Sequence, residues 1–140
     1  MQASIINFMM KLLLDTHIWL WALLEPERLS PAVRTALQSP DNQIWLSPIS
    51  VWEALVLAER GRLTITTTAA EWVQRMVQAI PRREAPLTHD IAVMSRQLAL
   101  SHHDPADRFL AATALVMGLT LVTADERLMH STEYAVLANS

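Results

Sequence analysis

The sequence predicts a single α/β domain with a parallel sheet that is covered by helices on both faces. Two segments, Lys11–Asp15 and Leu119–Val122, are continuous apolar runs of the kind found in strands buried on both faces. Helix-start signals alternate with the strand candidates, which is typical of right-handed crossovers in a parallel sheet. The length of 140 residues fits one domain over residues 1–140.

Proline and capping residues mark the element boundaries in the first half of the chain. Ser30-Pro31 and Ser47-Pro48 each pair a capping hydroxyl with a proline at the first helical position, where its missing N–H costs nothing. The predicted order is strand 11–15, helix 18–24, a helix from 31 that ends before 41–42, strand 43–46 and helix 48–60.

Similar signals divide the second half. Thr68 and Glu71 match a capping box, and Pro81 stops the helix that they begin. Gly118 ends a helix that begins at Pro105. The predicted order is helix 69–80, a weak strand 85–87, helix 88–100, helix 105–117, strand 119–122, a helical turn at 125 and an edge strand 134–137.

Composition excludes several classes of protein. No cysteine is present, so the chain has neither a disulfide framework nor a Cys-based zinc site. Lys11, Asp15 and Glu25 interrupt the apolar N-terminal region well short of the roughly 20 residues that a spanning helix needs. No signal-peptide pattern precedes them. We therefore expect a cytoplasmic protein with no membrane segment.

The net charge of −3 argues at first against a nucleic-acid partner, for which a basic surface is usual. Four of the 14 acids belong to the candidate site described next, and setting them aside leaves ten acids against 11 bases. All but one of the bases are Arg, which favours bidentate phosphate contacts. High-GC coding bias explains the same Arg content equally well, so charge does not decide the partner.

Four carboxylates occupy positions that a parallel sheet brings to one edge. Asp15 and Asp125 follow predicted strands, whereas Glu53 lies in the second turn and Asp107 in the first turn of a predicted helix. Ligands of open α/β sheets bind in the crevice beyond the carboxyl ends of the strands. Crowded carboxylates need a compensating cation, and hard oxygen ligands select Mg²⁺ or Mn²⁺. The four acids therefore predict a catalytic divalent-metal site.

Several of these acids also have a structural interpretation. Asp15 is placed to cap the next helix, and Asp125 is placed to cap a short turn or to bind metal only through water. In Asp104-Pro105-Ala106-Asp107 a single acid suffices as the N-cap. We assign Asp104 to the cap without metal contact and Asp107 to the metal, since position N3 also suits a negative charge.

Glu53 has a sharper alternative, because Ser50 and Glu53 match a capping box in which Glu53 would bond a backbone N–H. Ser47-Pro48 is the better helix start, and it leaves Glu53 free inside the helix. We favour the metal-ligand interpretation.

Four sequence blocks carry these acids at characteristic intervals: residues 13–17 (LLDTH), 47–53 (SPISVWE), 104–114 (DPADRFLAATA) and 121–125 (LVTAD). Together they resemble the PIN domain family, and specifically its VapC-type toxin ribonucleases. The resemblance covers residues 11–137 and leaves residues 1–10 as an extension that does not match. It implies a Mg²⁺- or Mn²⁺-dependent endoribonuclease, usually dimeric, that a cognate VapB-like antitoxin neutralises. The implied acidic quartet is Asp15, Glu53, Asp107 and Asp125.

The expected reaction is hydrolysis of an RNA phosphodiester by metal-activated water, which leaves 5′-phosphate and 3′-OH ends. Arg108 is a candidate for phosphate binding, and Thr16 and Thr123 are candidates for positioning substrate or a metal-bound water. Three histidines near the acids invite a metal-binding or acid–base role, but none has a partner at zinc-like spacing, and we assign them none: His17, His102 and His103.

The five tryptophans lie in apolar helices and a strand, which favours core packing or a partner interface over stacking on bases. The helices that carry Trp21 and Trp52 hold more large apolar residues than one face can turn inward. In the family that the chain resembles, such helices form a groove for the antitoxin's C-terminal segment.

Two other classes of function are compatible with an acid cluster. A catalytically silent PIN-like module would bind RNA or protein without cutting, but the presence of all four acids argues against it. A receiver-like phosphoacceptor domain also binds Mg²⁺, but it needs a lysine after its last strand, and the only lysine here is Lys11.

Overall fold

A computed structural model describes residues 9–140 and shows one five-stranded sheet in which every pairing is parallel. The strand order is β3-β2-β1-β4-β5. The chain proceeds from β1 outward to β3 and then crosses back to β4, so the order reverses between β1 and β4. The strands are β1 Lys11–Leu14, β2 Gln43–Leu46, β3 Arg83–Glu84, β4 Thr120–Thr123 and β5 Ala135–Ala138.

Helices connect the strands, and the predicted caps begin most of them. Ser30, Ser47 and Thr68 each accept a backbone N–H of the helix that follows, and Gly118 ends α6 with a φ of 66°. A short 3-10 helix lies at Pro26–Arg28. The α-helices are α1 Thr16–Leu24, α2 Pro31–Gln38, α3 Pro48–Glu59, α4 Ala69–Gln78, α5 His89–Gln97, α6 Pro105–Met117 and α7 Glu126–Met129.

The central strand separates two hydrophobic cores. Leu12 and Leu14 pack with α1 to α4 on one face of the sheet, and Leu13 packs with α5 to α7 on the other. All three leucines are fully buried. The continuous apolar run therefore reflects a strand covered on both sides, and the prediction of a parallel sheet with helices on both faces is confirmed.

Two predicted boundaries are wrong for identifiable reasons. The strand expected at 85–87 is instead β3, residues 83–84. One further bond, from the Ala85 N–H, follows it, and the ladder then stops because Pro86 has no N–H. The helix expected to reach residue 100 ends at Gln97. The Arg108 guanidinium binds carbonyls in this region and favours an irregular segment over a further helical turn.

Of the two environments expected for the tryptophans, core or partner interface, Trp52 does not occupy the core. Its side chain is 57% exposed, whereas Trp19 is fully buried and donates its indole N–H to the carbonyl of Met76 at 3.2 Å. The two helices thus differ, because α1 turns Trp19 inward and α3 leaves Trp52 outside.

Across residues 9–140, none of the helices combines the length and the apolar character that crossing a membrane requires. The domain extent of 1–140 and the interpretation of 1–10 as an extension stay predictions, since residues 1–8 lie outside the described part of the chain.

Candidate active site

Asp15 stands where β1 ends and α1 begins, with 7% of its surface exposed. One carboxylate oxygen accepts the Thr16 N–H and the other accepts the Thr123 hydroxyl, both at 2.7 Å. Burial raises the pKa of Asp15 above its ordinary value, against the lowering effect of these two hydrogen bonds. Asp15 therefore caps α1, the structural role considered for it above, and its side chain also lines the cavity that holds the other acids.

Glu53 lies on α3 and turns toward Asp15. Its carboxylate accepts the Thr16 hydroxyl at 2.5 Å, so Thr16 binds both acids, one through its N–H and one through its side chain. Ser47 caps α3, and the buried hydroxyl of Ser50 has no hydrogen-bond partner within residues 9–140, so the capping box of Ser50 and Glu53 does not form. Burial, followed by the charges of nearby carboxylates, raises the pKa of Glu53.

Asp104 and Asp107 divide their roles at the start of α6. Asp104 accepts the N–H groups of Ala106 and Asp107 at 2.9 and 3.3 Å, which is the predicted N-cap. The Asp107 carboxylate shares a 2.5 Å hydrogen bond with Nε2 of His102. Burial raises the pKa of Asp107 to about 6, although this hydrogen bond acts in the opposite direction.

Asp125 follows β4 and caps α7 by accepting the Arg127 N–H at 2.9 Å. Its carboxylate also accepts two hydrogen bonds from the Arg127 guanidinium. These bonds hold the pKa of Asp125 below its ordinary value. In the part of the chain that the structure describes, Asp125 is thus the one predicted acid with a guanidinium partner, and His102 Nε2 lies 3.9 Å from its second oxygen.

All four predicted acids line a single cavity of about 330 Å³. It opens at the carboxyl edge of the sheet, beside the point between β1 and β4 where the strand order reverses. The remaining lining residues are His17, Trp21, Asp104, Ala124 and Arg127. The structure therefore brings together residues that are up to 110 positions apart, and their catalytic roles stay predictions.

The acids share the cavity without forming a closed ligand shell. Within residues 9–140, His102, Asp104 and Asp107 place ligand atoms within 4.8 Å of one another, and no three acids of the predicted quartet do so. Because like charges repel at short range, the four carboxylates stay apart, and each one binds a hydrogen-bond donor of the protein. Asp104, which we expected to lack metal contact, is therefore as near to Asp107 as a shared ligand would be.

The donor set suits a hard divalent cation. Asp15 and Glu53 are buried or half-buried, and their partners in the described residues are neutral hydroxyl and amide donors. Burying a carboxylate without a cation is costly, as the raised pKa values of Asp15, Glu53 and Asp107 show. Carboxylate oxygens with one imidazole nearby fit Mg²⁺ or Mn²⁺.

Arg108 does not occupy the position that phosphate binding requires. It is 6% exposed, and its guanidinium donates to four backbone carbonyls at 2.6 to 3.1 Å. The acceptors are Ser95, Leu98, Leu100 and His102. Arg108 instead holds the segment between α5 and α6 in place. The prediction that it contacts substrate is corrected on this ground.

Thr16 and Thr123 are buried and use their hydroxyls on Glu53 and Asp15, so both orient acids from within the protein. No role was assigned to His102 from the sequence, yet its Nε2 lies against the Asp107 carboxylate. Its spacing of five residues from Asp107, across the proline that begins α6, was the available signal. A helical or strand periodicity does not predict that contact.

The fold and this site define the class of protein. The PIN domain family profile matches residues 12–132, and the chain belongs to this family. Ribonuclease VapC22 of Mycobacterium tuberculosis is 36% identical over 121 residues, which cover 86% of this chain and 91% of the relative. Within the family, the chain is accordingly a VapC-type member.

Solved structures agree with the fold. VapBC2 from Rickettsia felis, bound to a DNA fragment from its promoter, superposes with a TM-score of 0.69 at 16% identity, covering 92% of this chain and 98% of the other. FitAB bound to an IR36 DNA fragment gives a TM-score of 0.63 at 26% identity, covering 91% and 94%.

Proposed function

We propose that this protein is a metal-dependent endoribonuclease toxin that a cognate VapB-like antitoxin neutralises. The observation that carries the activity is the cavity lined by Asp15, Glu53, Asp107 and Asp125 at the carboxyl edge of the sheet. The 36% identity to a ribonuclease over most of both chains supports RNA as the substrate. An enzyme acting on cellular RNA works in the cytoplasm, which is where we place it.

Asp15, Asp107 and Glu53 would hold Mg²⁺ or Mn²⁺. When bound, the ion supplies a water of lowered pKa and positive charge against the phosphodiester oxygens. Thr16 and Thr123 fix the orientation of Glu53 and Asp15 by hydrogen bonds of 2.5 and 2.7 Å. Water attacks the phosphorus and the 3′ oxygen leaves with a proton, so the products carry 5′-phosphate and 3′-OH ends.

The activity test compares purified, antitoxin-free protein on total RNA with Mn²⁺ and with EDTA, followed by mapping of the cleaved ends. Asp15→Asn and Asp107→Asn should lose cleavage and bind Mn²⁺ more weakly by calorimetry, because each removes a charged ligand. Asp90→Asn, an exposed acid on α5, is the matched control. Retained cleavage in both site variants, or 2′,3′-cyclic phosphate ends, contradicts the proposal.

A second cavity provides a surface for the antitoxin. A largely apolar groove of about 680 Å³ runs beside the acid cavity and shares His17, Glu53 and Asp104 with it. Trp52 and Leu87, two of the exposed large apolar residues, line this groove, whereas Trp21 does not. An apolar segment of the antitoxin fits here, and the acids at one end would attract a basic residue.

To test the partner, the chain is co-expressed with the protein encoded immediately upstream, and the affinity between the two purified proteins is measured. Trp52→Glu should weaken the complex at least tenfold, because it puts a charge into the apolar groove. Val93→Glu, at an equally exposed position on α5 outside the groove, should not. Equal affinity for both variants would refute this binding face and leave the ribonuclease proposal intact. We also propose a homodimer, which sedimentation of the purified chain tests.

A further inference from the structure

Two ring side chains line the acid cavity but have no part in the proposed hydrolysis. His17 and Trp21 are four residues apart on α1 and so share one face of the helix. Their ring centroids lie 5.8 Å apart at an interplanar angle of 47°. His17 is exposed and Trp21 is partly buried. The cavity therefore has aromatic groups as well as its acids.

Trp21 is held in place from outside the cavity. The Arg28 guanidinium lies 4.1 Å from its ring centroid, and Glu25 pairs with Arg28 at 3.7 Å. The indole also packs against the core cluster beneath α1. A ring fixed on two sides offers a preorganised surface, because little conformational entropy is left to lose when a ligand stacks on it.

Charge explains why such a surface is useful here. Five carboxylates line the cavity, and Arg127 is the guanidinium among its lining residues, already paired with Asp125. Even with one divalent cation bound, five carboxylates and one guanidinium leave the cavity lining net negative, so an attraction that does not depend on charge would strengthen RNA binding. Stacking of a nucleobase on an aromatic ring supplies one, and every base has a face to stack.

We propose that His17 and Trp21 form a stacking subsite for one unpaired base of the RNA, next to the phosphate that is cut. This inference rests on the proposed ribonuclease activity and adds to it a contact with one base of the substrate. A base within a helix is stacked on its neighbours and cannot reach the rings, whereas a base in a loop or single strand is free to do so.

The experiment uses a labelled single-stranded RNA that contains the mapped cleavage site, and it measures kcat and KM for His17→Ala and Trp21→Leu. Loss of one stacked base should raise KM by about 5- to 150-fold. Matched controls are His89→Ala, an exposed histidine on α5, and Trp72→Leu, a tryptophan of α4 that is also partly buried against the same core.

A second RNA series carries an abasic nucleotide at each position around the cleavage site in turn. At the stacked position, wild type and Trp21→Leu should have the same KM, because the base that Trp21 contacts is already missing. A merely structural role for Trp21 predicts the same loss at every position. That pattern would overturn the inference.

The outcomes separate this inference from the proposed function. If wild type cuts RNA and both His17→Ala and Trp21→Leu keep its KM, the stacking subsite is wrong and the ribonuclease stands. If wild type cuts no RNA in Mn²⁺, the proposed function fails and the inference fails with it. Should Trp21→Leu not fold, His17→Ala decides alone, since His17 is exposed on the surface of α1.

Discussion

Replacement of Arg108 by Met tests whether this buried guanidinium holds the segment between α5 and α6. The change keeps most of the side-chain volume and removes four hydrogen bonds of 2.6 to 3.1 Å to backbone carbonyls. Hydrogen bonds to charged groups contribute about 1.5–3 kcal/mol each to stability. Part of this is offset because Met does not have to be desolvated as a cation, so we expect a net loss of about 3–5 kcal/mol.

For a domain of this size, such a loss corresponds to a fall in Tm of roughly 10–17 °C. The assay is thermal and urea unfolding of the metal-free protein, monitored by circular dichroism. Arg96→Met is the matched control, because Arg96 is exposed on α5 and should change stability by less than about 0.5 kcal/mol. If the two variants unfold within about 1 kcal/mol of each other, the positioning role of Arg108 is wrong.

Three further predictions concern the acids and Trp19. Asp107→Asn should match the wild-type stability near pH 4 and exceed it by about 1–2 kcal/mol at pH 7 in EDTA. The reason is that Asp107 has a folded-state pKa near 6, so the wild-type protein loses stability as pH rises from about 4 through 6. Equal unfolding curves for the two proteins at both pH values would contradict this. Asp104→Asn should be nearly silent and Asp104→Ala should cost about 1 kcal/mol in urea unfolding, and an Asn variant as inactive as Asp107→Asn would place Asp104 among the metal ligands. Trp19→Phe should cost about 1–3 kcal/mol, since it leaves the Met76 carbonyl without its indole donor; unchanged stability would argue against that bond.

The fold could be predicted because its signals are local. Ser47-Pro48 begins α3, and the apolar run of β1 is buried on both faces, as sequence patterns alone indicate. Of the two boundaries that failed, the end of α5 depends on Arg108, which lies 11 residues beyond the last residue of the helix. A competing donor from a distant residue leaves no trace in the helix's own sequence.

The candidate site divides in the same way. The four acids could be chosen from their positions after strands and at helix starts, because a parallel sheet brings those positions to one edge. The contact of His102 with Asp107 could not be predicted, because it depends on an irregular segment whose path Arg108 fixes. The exposure of Trp52 likewise follows from how α3 is rotated against the sheet.

The sequence by itself determined the order of the elements, the parallel sheet and the acids at its edge, because capping, proline geometry and apolar runs act over a few residues. Tertiary structure decided which distant donors the acids meet. Thr16 orients Glu53, and Thr123 orients Asp15. These bonds depend on side-chain directions to within about an ångström, and helix packing, not local propensity, sets those directions.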